Sequence, residues 1–125
     1  MAARVRSITL TVPLYGARIR AFVGETARAA RDAAARRPGL GDLPPVAADD
    51  AGAFLRTQSG EFVIVLPRDA SPGLLAHECA HAAVGVLDRA GVPVSSKGDE
   101  ALAYVLQWLV DALAAWLARV RAPAA

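Results

Sequence analysis

The chain has 125 residues, of which 54% are hydrophobic, a net charge of +2 and one cysteine. This length suits one domain, residues 1–125, and the apolar share is enough for a hydrophobic core. The mild charge, with no basic patch interleaved with aromatic residues, argues against a nucleic-acid-binding protein, so we expect the arginines of the first third to form a solvated face. A single cysteine excludes an internal disulfide.

The N-terminal region does not have the pattern of a secretion signal. Its apolar stretch is interrupted by Pro13, Arg18 and Arg20 and lacks a cleavage site of small residues. We therefore expect the protein to be cytoplasmic.

The first half of the chain is predicted to form two strands, one helix and a loop, in that order. Residues 5–12 and 17–23 alternate in polarity, which predicts a β-hairpin or one long strand bent at Pro13. Residues 25–37 are rich in alanine and arginine and end before Pro38, which predicts a helix. Residues 38–50 contain three prolines and two glycines, and this composition predicts an irregular surface loop.

The second half predicts a hairpin followed by two long helices. Residues 51–58 and 61–66 read as strands joined by a turn at Ser59 and Gly60, and the apolar run 62–66 predicts burial on both faces. Ser71 as N-cap and Pro72 at the first position predict a helix over residues 72–89. After a loop at residues 90–98, an apolar stripe predicts a last helix over residues 99–121. The expected fold class is α+β in the order β-β-α-β-β-α-α, with a small sheet packed against helices.

The sequence His-Glu-Cys-Ala-His at residues 77–81 predicts a metal site. On a helix, His77 and His81 lie on one face about 6 Å apart and can bind the same ion. Zinc suits imidazole ligands, and a catalytic zinc has three protein ligands and a water. Glu78 is then the expected general base of a metal-dependent hydrolase. Cys79 points away from the histidines and is expected to be a buried thiol.

The expected third ligand is Glu100, which begins the last helix. The helix dipole favours an ionised carboxylate there, so the metal is expected between the last two helices. Asp99 is the competing ligand, although its position suits an N-cap, and both acids are also common in the first turn of any helix. Tyr104 lies one turn after Glu100, where it would hydrogen-bond a ligand, stabilise an oxyanion or serve only as an interfacial aromatic.

These residues resemble a known metallopeptidase arrangement. The two histidines, Glu78 and Glu100 are similar to the gluzincin site of thermolysin-type enzymes, whose third ligand lies in an N-E-A-x-x-D sequence. Residues 99–104 differ, with Asp99 for the Asn and Tyr104 for the Asp that supports a ligand histidine. The chain also resembles, at residues 12–16, 76–83 and 99–104, small H-E-x-x-H proteins of tailed phages and prophages. The resemblance implies a minimal zincin-like domain that binds Zn²⁺ and cleaves a peptide or protein substrate.

The same resemblance leaves a second interpretation open. The protein would be a phage virion or assembly component with a structural or silent metal site, associated with the virion and with phage structural proteins. The last helix would then provide a partner contact or a homo-oligomer interface. Gln107 and Asp111 within that helix argue against a membrane-spanning segment.

Overall fold

A computed structural model describes residues 4–95 and 99–123 of the chain. The predicted α+β class and element order are confirmed. The elements are β1 (Arg6–Thr11), β2 (Arg18–Gly24), α1 (Ala27–Ala34), β3 (Ala53–Arg56), β4 (Phe62–Pro67), α2 (Pro72–Arg89) and α3 (Glu100–Arg121).

The four strands form one mixed sheet in the order β1-β2-β4-β3. The pairs β1–β2 and β3–β4 are antiparallel, as expected for two hairpins, whereas β2 and β4 are parallel. The first hairpin turns where the main-chain N–H of Gly16 donates to the Val12 carbonyl over 2.9 Å. A parallel pair needs a crossover connection, and α1 with the loop after it provides that connection. Strand β3 is left at one edge of the sheet.

Both faces of the sheet are covered. Residues Phe62 to Leu66 of β4 are fully buried, as their continuous apolar run predicted. Phe62, Ile64 and Leu66 face a large core beneath α2 and α3. Val63 and Val65 face a smaller core beneath α1 and the loop that follows it. The two helices that cover the larger core include every sequence-predicted metal ligand.

Helix α1 is shorter than the predicted residues 25–37. It begins after Thr26, whose Oγ1 accepts the main-chain N–H of Ala29 at 3.0 Å. After Ala34 the hydrogen bonds tighten, since Arg36 and Arg37 donate to carbonyls three residues earlier. Pro38 has no N–H to donate, and in a continued helix its ring would clash with the carbonyl four residues earlier, that of Ala34, so the helix ends before it.

Helix α3 covers the larger core with one face. The buried side chains of that face recur at helical spacing: Val105, Leu109, Leu113, Trp116, Leu117 and Val120. By length and composition alone, α3 is long and apolar enough to cross a membrane, a test that core helices of soluble proteins also pass. The loop before α3 was predicted over residues 90–98, and residues 96–98 lie outside the described part.

The end of α3 is tied to the beginning of α2. Arg121 donates from Nε to the Arg68 carbonyl and from Nη2 to the Ala70 carbonyl, each over 2.6 Å. Ala70 directly precedes Ser71, the N-cap of α2. These bonds fix the first turn of α2 against the last turn of α3, and the histidine pair follows on the next turns of α2.

Candidate metal centre

The start of α2 is set by local sequence. The Ser71 Oγ accepts the main-chain N–H of Leu74 at 3.1 Å, and Pro72 occupies the first turn, where its missing N–H costs nothing. The helix runs from Pro72 to Arg89, the bounds predicted from the sequence. His77 and His81 therefore lie on consecutive turns of an uninterrupted helix, and both are exposed.

The two imidazoles converge on one point. Their Nε2 atoms lie 3.3 Å apart, and the rings meet edge to face with centroids 4.8 Å apart. Two nitrogens that each lie about 2.1 Å from a tetrahedral zinc are about 3.4 Å from one another. The observed separation therefore fits two ligands of one zinc ion.

Glu78 completes a cluster with the two histidines. Ligand atoms of His77, Glu78 and His81 all lie within 4.8 Å of one another. Unlike the histidines, Glu78 is buried, with 5% of its surface exposed. Burial raises the pKa of the Glu78 carboxyl, while the charges of His77 and His81 and a hydrogen bond with the Phe54 main chain lower it. Desolvation outweighs these opposing effects, so the carboxylate is more basic than an exposed glutamate.

The edge strand β3 contacts both Glu78 and the later part of α2. Phe54, whose main chain contacts the carboxyl, lies in β3, and its ring packs against α2 at Gly85. A Cβ at Gly85 would lie 3.1 Å from the Phe54 Cζ, so a larger residue there would require the ring to shift by a few tenths of an ångström. Neither Phe54 nor Gly85 was predicted from the sequence as part of the site. A glycine inside an otherwise regular helix was the available signal for a close contact.

The expected third ligand is not part of this cluster. Glu100 is the first residue of α3 and is exposed, and neither it nor Asp99 belongs to the group of ligand atoms around His77 and His81. Asp99 occupies the predicted N-cap position, but its side chain makes no capping hydrogen bond. Tyr104 is 47% exposed on the following turn of α3. The structure thus brings together two of the three expected ligands and the expected base.

Cys79 is buried, as expected from its position between the histidines. Its side chain is fully inaccessible, and burial followed by the negative charge of Glu78 raises the pKa of the thiol from 9.0 to about 12. Metal binding and nucleophilic attack both require the thiolate. Cys79 is therefore a core residue of α2.

Comparisons of the chain with protein-family models, with curated proteins and with solved structures found no match.

Proposed function

We propose that this protein is a zinc-dependent peptidase whose metal is held by α2. The observation that carries the proposal is the 3.3 Å separation of the His77 and His81 Nε2 atoms beside the buried carboxyl of Glu78. Helical spacing alone brings the two histidines together, and their Nε2 separation also suits a hydrogen bond between the rings, so the desolvated acid beside them is the feature that favours a metal site.

The donor set fits zinc. His77 and His81 would supply two nitrogens, and Glu100 is proposed as the oxygen ligand from the beginning of α3, with Asp99 as its competitor. Bound zinc would supply Lewis acidity, which polarises a carbonyl and lowers the pKa of a water. The cluster itself offers no soft ligand, because the Cys79 thiol stays protonated.

Glu78 would move the proton. Its desolvated carboxylate is a stronger base than an exposed one, and it lies beside both proposed ligands. It would accept a proton from the attacking water and return it to the leaving amine, so that the peptide bond breaks without free hydroxide or an expelled amide anion. Tyr104 would stabilise the oxyanion or orient a ligand from α3.

Strand β3 would hold the substrate. It is an edge strand, so the main-chain groups on its outer side have no partner strand, and its Phe54 lies against the Glu78 carboxyl. An extended peptide could add to this edge through main-chain hydrogen bonds. That arrangement would place the scissile bond beside Glu78.

The ligand set is tested by zinc content of protein purified without chelator. We expect about one zinc per chain, retained in Asp111→Ala and lost in His77→Ala, His81→Ala and Glu100→Ala. Asp111 is the matched control because it is another exposed acid of α3. Loss of zinc in Asp99→Ala but not in Glu100→Ala would show that Asp99 is the third ligand. A wild-type protein that contains no zinc would refute the zinc site.

The chemistry is tested with Glu78→Gln. Glutamine keeps the size of the side chain but cannot accept the proton, so zinc content should be retained while cleavage of an unfolded polypeptide falls at least 100-fold. Glu61→Gln, an acid near the β3–β4 turn, is the control and should cleave normally. Wild-type activity in Glu78→Gln would exclude this residue as the base.

A second candidate function is that of a phage virion or assembly component. The observation that favours it is that several large apolar side chains of α3 are only partly buried: Leu102, Leu106, Trp108 and Val110. These side chains would contact phage structural proteins or a second copy. A zinc-loaded protein that forms defined oligomers and cleaves no polypeptide would support this function over the peptidase.

A further inference from the structure

A cavity with a volume of about 670 Å³ opens at the edge of the sheet where β1 begins and β2 ends. Its walls include Ser7 and Gly24 from these strands and Val120 from the end of α3. Four arginines from separate parts of the chain line it: Arg4 and Arg6 at the start of β1, Arg37 after α1 and Arg68 after β4. None of the metal-centre residues lines this cavity, which we call the arginine cavity.

The positive charge of the arginine cavity is not neutralised by its own walls. Among residues 4–95 and 99–123, no aspartate or glutamate lines the cavity, and the one salt bridge joins Arg31 to Asp32. Glu25 and Asp69 line a separate cavity together with Arg121 and Arg68, the residue that the two cavities share. Like charges gathered around one concave surface repel each other and focus a positive potential into it.

Two of the four arginines are held by the protein. The Arg37 guanidinium lies over the ring of Phe22, with its Cζ 5.9 Å from the ring centroid. Arg68 donates from Nη2 to the Val120 carbonyl over 3.4 Å, and its own carbonyl accepts the Nε of Arg121. These contacts anchor positive groups on two different walls, which reduces the entropy that a ligand must offset when it binds.

We propose that the arginine cavity binds a ligand that carries several phosphate groups. Guanidinium forms paired hydrogen bonds with phosphate oxygens, and a polyphosphate concentrates several negative charges in a volume that four arginines can surround. A carboxylate carries only one negative charge. In the described part of the chain no aromatic side chain lines the cavity, so the ligand is recognised by its phosphates and not by stacking of a base.

The experiment is calorimetric titration of the full chain with inorganic tripolyphosphate. The protein is first treated with chelator and dialysed, because tripolyphosphate itself binds divalent cations. We expect binding that weakens as salt is added, and about tenfold weaker affinity in Arg6→Gln and in Arg37→Gln. Arg28→Gln and Arg119→Gln are the matched controls, since each removes the same charge from an exposed helix position outside the cavity and should bind like wild type.

Several outcomes would overturn the proposal. The first is that tripolyphosphate does not bind at low salt. The second is that Arg28→Gln weakens its binding as much as Arg6→Gln does. The third is that hexaglutamate binds as tightly as tripolyphosphate and depends on the same arginines. Competition by a single-stranded oligonucleotide that depends on Arg6 and Arg37 would support phosphate recognition with a nucleic-acid backbone as the source. Binding of tripolyphosphate without such competition would support a small phosphorylated ligand. The same titrations can be made with His77→Ala, which removes a proposed metal ligand but no residue that lines the arginine cavity. Phosphate binding is therefore tested independently of peptidase activity.

Discussion

The two faces of the sheet are covered by different kinds of structure. On one face, α2 and α3 cover a core of large aliphatic and aromatic side chains and present the histidine pair on their outer side. On the other face, a helix of eight residues packs through Ala27, Ala30 and Ala34, and an irregular loop supplies Leu40, Leu43 and Val46. The first face is covered by two long helices, and the second is covered by a short helix and an irregular loop.

The two faces also differ in where the buried titratable groups lie. Both buried titratable groups of the described residues, Glu78 and Cys79, belong to α2, whereas the core beneath α1 contains only apolar side chains. Rigid helices are better supports for a site that needs accurate distances than loops are. The helical face therefore holds the candidate chemistry, and the loop face completes the core.

The largest expected effect compares the two cores directly. Leu113→Ala should lower the free energy of unfolding by about 3–5 kcal/mol, because the packed helices α2 and α3 cannot close the cavity that it leaves. Leu43→Ala should cost nearer to about 2 kcal/mol, since the loop can relax around the smaller side chain. Urea denaturation of both variants measures the difference. Equal losses would mean that the loop face is as rigid as the helical face.

The second prediction concerns alkaline pH. The pKa of the Cys79 thiol is raised from 9.0 to about 12, so the folded chain holds this proton more tightly than the unfolded chain. The resulting stabilisation is fully present below pH 9 and is lost as the pH rises through about 12. In urea denaturation at pH 8 and pH 11, wild type should lose more stability than Cys79→Ala does. Parallel losses in both proteins would show that the thiol is not the group responsible.

The third prediction tests how the loop is held. Arg31 donates from Nε to the Pro44 carbonyl over 3.0 Å and from Nη2 to the Leu43 carbonyl. Arg31→Ala removes both bonds and should cost about 1–2 kcal/mol. It should also increase proteolytic cleavage within residues 38–50 while zinc content is unchanged. Arg28→Ala on the same helix is the control and should have neither effect.

The smallest expected effects come from the helix N-caps. Thr26→Ala and Ser71→Ala each remove a side-chain bond to the first turn and should cost about 1 kcal/mol. Asp99→Ala should cost clearly less, because the Asp99 side chain makes no capping bond in α3. Thermal denaturation of the three variants checks this order. A cost for Asp99→Ala equal to that of Ser71→Ala would show that Asp99 caps α3 in solution.

Most of the elements, and the histidine pair, could be predicted from the sequence because they follow local rules. Alternation of polarity gave the strands, and Ser71 with Pro72 gave the start of α2. The spacing of His77 and His81 brings them together on any regular helix. The end of α1 was misplaced because alanine and arginine have high helix propensity, while the effect of Pro38 reaches back along the chain.

The environment of the candidate metal centre depended on contacts between residues far apart in the chain. The sequence alone marked Glu78 as a base, but the burial that raises its pKa and the hydrogen bond with the Phe54 main chain that lowers it both depend on tertiary packing. The arginines Arg6 and Arg37 are exposed, in agreement with the solvated face expected for the first third, but only strand order and the return of α3 gather them with Arg68 around one cavity. Periodicity determines which face of an element is apolar, but only tertiary packing decides which elements meet and which polar groups lose water.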